Sequence, residues 1–283
     1  MKSTGHIRKR IDDADFLIGY GRFEAALLLL LIAIDGSAIK IFPKGHPSIS
    51  KPNSKNGMQN WERYQRFLGV RLRQEMGFAL TEEFYCIKDL LQLPQFVSGQ
   101  LPPERIIYEA FRNNDVHESR IPEQHHYVYS EQAISNSMGM EFSNGDVKFS
   151  SGFLTLLRNV VVNAPCNGNE FGIKHIRLYP KHAEKISEFI DKLSKDFSLS
   201  SGRIEALIKI IEATGVDMDT LTDSELAGRL TYTMETRYPG AVTGLSFTSE
   251  ESPICRWEEG FTEYGARVCR DIVSNGRLVN ISS

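Results

Sequence analysis

The run Ala25-Ala26-Leu27-Leu28-Leu29-Leu30-Leu31-Ile32-Ala33-Ile34 is wholly apolar, and no other stretch restricts the fold as much. A helix that is apolar all round must be covered on most sides, by neighbouring helices or by a second copy of the chain. The run is also too short to cross a bilayer, which takes about 20 residues. It therefore predicts a core helix of a helical bundle. Read with its flanks, residues 11–41 predict one long helix, with Asp12, Asp13 and Asp15 crowding its first part, where acidic groups complement the dipole. Pro43 and Gly45 end it. Gly19, Gly21 and Gly36 are no phosphate-binding fingerprint, because no strand precedes them.

Downstream, residues 44–58 are rich in Lys, Pro, Ser, Asn and Gly and predict a surface loop or lid. Residues 61–73 predict an amphipathic helix. Trp61, Tyr64, Phe67, Leu68 and Leu72 line one side, and Arg63, Arg66, Arg71 and Arg73 the other. Most charged helix faces are simply solvated, and contact with an RNA backbone is the functional alternative. A short helix is expected over 84–91, then another from Pro103. The pattern next turns to strand at 126–129, where His125 and His126 read as sheet-edge residues. At 140–149, Asn144-Gly145 is placed as the turn of a β-hairpin. Residues 153–162 return to helix, and the polar, glycine-bearing stretch 166–172 is a candidate boundary. Beyond it the chain reads as helical over 181–196, 201–214, 222–236 and 256–274. Ser200 or Ser201 caps the second of these, and Thr222 with Glu225 makes a capping box for the third. Residues 174–182, which mix basic residues with an aromatic, read as a solvated linker or a nucleic-acid contact.

The 283 residues allow one large domain or two modest ones. The net charge of -3 supplies no global basic field, so any RNA contact must come from a local patch. Cys86, Cys166, Cys255 and Cys269 have neither C-x-x-C nor zinc-finger spacing and read as thiols of a reducing compartment. No His/Asp/Glu group has ligand spacing, so no metal and no cofactor is expected. The polar N-terminus lacks a signal-peptide pattern, and a cytoplasmic protein is expected, away from membranes.

The chemistry-bearing stretch is Arg112-Asn113-Asn114-Asp115-Val116-His117. Ile106, Ile107, Ala110 and Phe111 give the helix leading into it an apolar stripe, so that helix should dock on a core. Asn113, Asn114 and Asp115 are helix terminators, which puts His117 on or just past a broken end. An unbroken helix would hold Arg112 and His117 about 140° apart. A break after Arg112, or a second chain, could bring such groups to one cleft. Arginine grips phosphate through two charge-assisted hydrogen bonds, and histidine exchanges protons near neutral pH. Together they suit RNA cleavage by 2′-hydroxyl attack. The structural alternative is a capping histidine beside a surface arginine.

In this order of segments, residues 1–165 resemble a HEPN domain. The resemblance is carried by the acidic and then leucine-rich first helix, the aromatic helix from Trp61 to Leu68, the R-polar-x-x-x-H stretch and the late hairpin and helix. It implies a mainly α fold, an antiparallel helical bundle with a small β-hairpin, often dimeric, with two R-x4-H copies meeting in one cleft. It also implies a metal-independent endoribonuclease of phage-defence or toxin type, or else a non-catalytic binding module. Arg112 would then stabilise the scissile phosphate, His117 transfer protons and Asn113 hold the geometry. RNA, a second copy and an antitoxin or defence protein are the partners implied. Residues 173–283 form a helical C-terminal region that the resemblance does not cover.

Overall fold

The computed structural model describes residues 5–76, 82–89, 93, 102–112, 140–143, 146–149, 151–182, 185–215, 218–238, 241–246 and 253–283. The chain is mainly helical and divides into two compact units, residues 1–173 with 283, and residues 174–282.

The first unit begins with a helical hairpin, where a single helix over 11–41 was expected. Helix α1 (His6–Gly19) and helix α2 (Phe23–Ile41) are joined by a tight turn. Gly21 takes φ +68° there, and the Gly21 and Arg22 amides donate back to the Ile18 and Leu17 carbonyls. That left-handed conformation costs a glycine little, so Gly21 permits the reversal that a helical pattern alone would not reveal. The aspartates consequently fall in the body of α1, and Asp15 takes Arg158 Nε at 2.8 Å. The acid at the start of α1 comes instead from Glu170, which accepts from the Ile7 and Arg8 amides at 3.1 and 3.0 Å and from Lys40 Nζ at 2.6 Å. In α2, Leu27, Leu30, Leu31 and Ile34 are buried, whereas Leu28, Leu29 and Ile32 are half-buried. The leucine run is thus fully covered on one side of the helix only.

Helix α3 (Asn60–Glu75) is the centre of this unit, buried from Glu62 to Arg73. The loop before it folds onto its first turn. The Ser48 hydroxyl and the Ile49 and Ser50 amides all donate to the Glu62 carboxylate. The helix expected over 84–91 is a 3-10 turn at Glu82–Cys86. Helix α4 (Pro103–Ile106) runs on as a π-helical segment, Ile107–Arg112. Strands β1 (Met140–Ser143) and β2 (Asp146–Phe149) pair antiparallel, with Phe142 opposite Val147. The Asn144-Gly145 turn and the strand expected at 126–129 lie outside the described residues. Helix α5 (Ser151–Val162) packs on α2 and α3. A 3-10 turn (Pro165–Asn167) and helix α6 (Gly168–Phe171) follow within the same unit.

In the second unit, residues 176–180 are a strand, not a linker. Strand β3 (Ile176–Pro180) pairs antiparallel with β6 (Gly276–Asn280), Leu178 opposite Leu278. Between them come helix α7 (Ile186–Asp196), α8 (Ser201–Thr214), α9 (Asp223–Arg237), α10 (Ala241–Ser246) and α11 (Glu263–Asn275). The β4–β5 hairpin (Cys255–Arg256 and Gly260–Phe261) takes up the start of the helix expected over 256–274. The expected capping box is present: Thr222 Oγ1 accepts from the Glu225 amide and Glu225 from the Thr222 amide. Leu193, Leu207, Ile211, Leu230 and Ile272 are among the residues that form the core of this unit.

Candidate functional site

The segment that ends at Arg112 is anchored in three ways. Ile107 and Phe111, four apart, are buried in the apolar core of the first unit, as the stripe predicts. The Tyr108 ring lies 5.3 Å from the Tyr64 ring. One turn earlier, Arg73 Nη1 donates to both Glu104 carboxylate oxygens, at 3.1 and 3.2 Å, and the two residues are essentially inaccessible to solvent. Gly69 makes room for this pair, because a Cβ there would lie 2.9 Å from Glu104 Oε1. Burial pushes the Glu104 carboxyl above its ordinary range, and the nearby Arg73 charge opposes this without cancelling it. Local π-helical geometry often occurs at functional positions. Here it places the Arg112 backbone at the end of a docked segment. Asn113 and His117 lie outside the described residues, so of the expected catalytic residues Arg112 alone is placed, by its backbone.

The arginines of α3 depart from expectation. Arg63, Arg66, Arg71 and Arg73 are all buried, so they form neither a solvated face nor an open cationic surface. Nor do they share one side of the helix: at 3.6 residues per turn Arg71 lies roughly 160° around from Arg73. Their charges are met from within. Arg66 donates through Nε to Glu62 at 3.0 Å, through Nη1 to the Tyr85 and Ile87 carbonyls, and through Nη2 to Ser50 Oγ at 2.8 Å. Arg71 donates to Gln74 and Glu75, each at 2.6 Å. Arg63 reaches two neutral oxygens, Asn60 Oδ1 and the Met58 carbonyl. The cause is position: α3 is surrounded by carboxylates and loop carbonyls that suit the fork of a guanidinium. Burial pulls the Glu62 carboxyl upward, but hydrogen bonds from Ser48, Ser50 and Arg66 outweigh it and hold the group below its ordinary range.

Two of these arginines, Arg66 and Arg73, hold residues that line a pocket of about 550 Å³ beside α4. Trp61 and Gln65 of α3 line it, together with Pro102, Glu104, Lys88 and Asp89. Arg66 fixes Ser50 and the 85–87 backbone, and Arg73 fixes Glu104. Sequence reasoning missed this pocket, having placed Trp61 on one side of the helix with Tyr64, Phe67, Leu68 and Leu72. Trp61 is half-buried and lies outside the apolar cluster that holds Tyr64, Phe67, Leu68 and Leu72.

The buried thiols are poor nucleophiles. Burial pushes Cys166 up to about 11 and Cys255 to about 12, and raises Cys269 as well. Among the described residues, no group of three or more His, Cys, Asp and Glu side chains could hold a metal ion, and no helix is long and apolar enough to cross a membrane. The model of the Rv1289 family matches residues 6–223, and the chain belongs to that family. No curated protein and no solved structure matches it.

Proposed function

We propose that this Rv1289-family chain is a metal-independent endoribonuclease of HEPN type, with Arg112 and His117 as its catalytic pair. The observation that carries the proposal is the seating of Arg112 at the end of a π-helical segment fixed by Ile107, Phe111 and the Arg73–Glu104 pair. His117 follows five residues later. In the reaction, a base removes the 2′-hydroxyl proton and the 2′-oxygen attacks the adjacent phosphorus. The bond to the leaving 5′-oxygen breaks, and an acid protonates that oxygen. The products are a 2′,3′-cyclic phosphate and a 5′-hydroxyl. His117 supplies the proton transfer, the Arg112 guanidinium holds the non-bridging oxygens as charge builds, and Asn113 keeps the pair in register. The N-terminal unit is then a HEPN-like antiparallel bundle that works in the cytoplasm as a homodimer, pooling two R-x4-H copies in one cleft. Phage defence or growth control, under an antitoxin or defence partner, is the setting.

The purified protein is incubated with total RNA in EDTA. Cleavage by the parent, abolished in Arg112→Ala and in His117→Ala, is the expected result. Parent and variants that behave alike would remove the nuclease proposal. A second reading, a HEPN-like module that binds RNA, nucleotide or protein without cutting, draws on the inward turn of Arg63, Arg66, Arg71 and Arg73, which leaves α3 without a cationic surface for RNA. It gives binding without RNA products, and alanine variants that bind normally.

A further inference from the structure

Among the arginines of α3, Arg63 alone meets no carboxylate among the described residues. It is only 6% exposed, yet Nη1 and Nη2 donate to neutral oxygens, Asn60 Oδ1 at 3.3 Å and the Met58 carbonyl at 3.4 Å, and Nε has no acceptor. A buried cation is costly unless an anion answers it. Both acceptors flank the first turn of α3, so the guanidinium is bent back over the N-terminal end of its own helix, the direction that helical side chains favour. That end is open. Gln59 makes no side-chain cap hydrogen bond, and the Asn60, Trp61 and Glu62 amides have no acceptor among the described residues. The Glu62 carboxylate is already taken by Ser48, Ile49, Ser50 and Arg66. The loop leading into the helix adds charge of one sign: residues 36–61 contain Lys40, Lys44, Lys51 and Lys55 and no Asp or Glu. Lys44, Lys51 and Lys55 are exposed and make no ion pair among the described residues. The Met58 amide donates to the His46 carbonyl at 2.7 Å, which closes this loop onto the start of α3.

We propose that the N-terminal end of α3 binds a phosphate group, gripped by the Arg63 guanidinium and by the amides of Asn60, Trp61 and Glu62, with Lys44, Lys51 and Lys55 supplying a local positive field. Free amides and the helix dipole favour an anion at such an end, and a guanidinium adds charge-assisted hydrogen bonds that no neutral acceptor equals. Entry needs no rearrangement of the core: Asn60 is exposed and its bond to Nη1 is long, so a phosphate oxygen can take the place of Oδ1. A phosphate has oxygens enough to meet the fork and the amides together, which a chloride ion has not. The sides of α3 keep their arginines inside, and only its N-terminal end offers positive charge outward. A free phosphate group and one phosphate of an RNA backbone share this chemistry. The site does not rest on the nuclease proposal, since it uses neither Arg112 nor His117.

The chain has two tryptophans, Trp61 and Trp257, so in Trp257→Phe the remaining emission comes from the first turn of α3. That protein is titrated with inorganic phosphate, and separately with chloride, at constant ionic strength. A saturable change with phosphate and none with chloride is the expected result. Arg63→Met should weaken phosphate roughly 10- to 150-fold, the value of a hydrogen bond to a charged group. Asn60→Asp sets a carboxylate of the chain itself against Nη1 and should weaken phosphate by a similar factor. Asn60 is exposed, so its variant decides the matter if Arg63→Met fails to fold by circular dichroism. A variant carrying both Arg112→Ala and His117→Ala should bind phosphate as the parent does, which separates this site from the nuclease proposal. In that variant, oligouridylate that displaces phosphate and binds more tightly identifies an RNA backbone as the source, and oligouridylate that does not compete identifies a free phosphate group. Equal responses to phosphate and chloride, or phosphate binding unchanged in a folded Arg63→Met or in Asn60→Asp, overturns the proposal. Self-association that is lost in Arg63→Met, with no response to phosphate, would make a second chain's carboxylate the counter-ion and overturns it as well.

Discussion

Arg66→Met tests whether the arginines of α3 are structural. Arg66 and Glu62 are 0% and 1% exposed at their side chains and 3.0 Å apart. Removing one partner of such a pair costs about 3–5 kcal/mol, most of it from the charge left behind. Here the orphaned Glu62 keeps three donors, the Ser48 hydroxyl and the Ile49 and Ser50 amides, which places the loss near the lower figure, about 3 kcal/mol. The Tyr85 and Ile87 carbonyls and Ser50 Oγ lose their guanidinium donors as well, so the pocket wall loosens along with the helix. For a unit of residues 1–173, a loss of that size lowers Tm by about 6–12 °C. Thermal unfolding followed by Trp61 emission, in the Trp257→Phe background, reads this unit alone. Amide exchange at residues 48–50 and 85–88 should accelerate in the same variant. A loss below about 1 kcal/mol, the value of an exposed ion pair, with exchange unchanged, would restore the solvated face and refute the buried hub.

Two carboxylates of the first unit give stability profiles of opposite sign. Glu170 is pulled upward by burial, but hydrogen bonds and charge from Lys40 and the Arg8 and Ile7 amides outweigh this and leave it below the ordinary carboxyl value of 4.5. Its contribution is therefore present above that value and lost as pH falls through the lower, folded one. Glu104 is raised by burial, so its contribution is present below 4.5 and lost as pH rises through the higher folded value. Urea unfolding across this range should show the deficit of Glu170→Gln growing as pH rises toward 4.5 and level above it, and that of Glu104→Gln shrinking as pH rises above 4.5. Profiles that run parallel to the parent in both variants would contradict the assignment. In the second unit, Gly260 holds φ +82° and an added Cβ would overlap the Thr231 side chain, whose hydroxyl accepts from the Phe261 amide at 2.8 Å. Gly260→Ala should cost about 1–3 kcal/mol. Denaturant unfolding that leaves the transition of the second unit in place would show that the hairpin tolerates the side chain.

Features with a local cause were legible in the sequence. The Thr222–Glu225 capping box, the extents of α3 and α5 and the strands flanking Asn144-Gly145 each follow from spacing within a few residues. The α1–α2 reversal was missed because the apolar pattern runs on through a turn that depends on one backbone angle, at Gly21. Strand β3 was missed because its partner, β6, lies about a hundred residues away, and a single short strand shows no sign of its mate.

The candidate site divides along the same line. The apolar stripe that docks the Arg112 segment is local and was legible. The fate of the arginines was not, because Arg73 meets Glu104 and Arg66 meets the Tyr85 carbonyl only once distant segments have folded together. Two signals were nevertheless available: Glu62 precedes Arg66 by four residues and Glu75 follows Arg71 by four, the spacing of helical ion pairs. Four cations on a central helix must each find oxygen inside the protein, and two of the residues that supply it, Ser50 and Glu104, line the pocket. Glu104 then has two duties. It is a wall of that pocket and, through Arg73, the anchor of the segment that ends at Arg112.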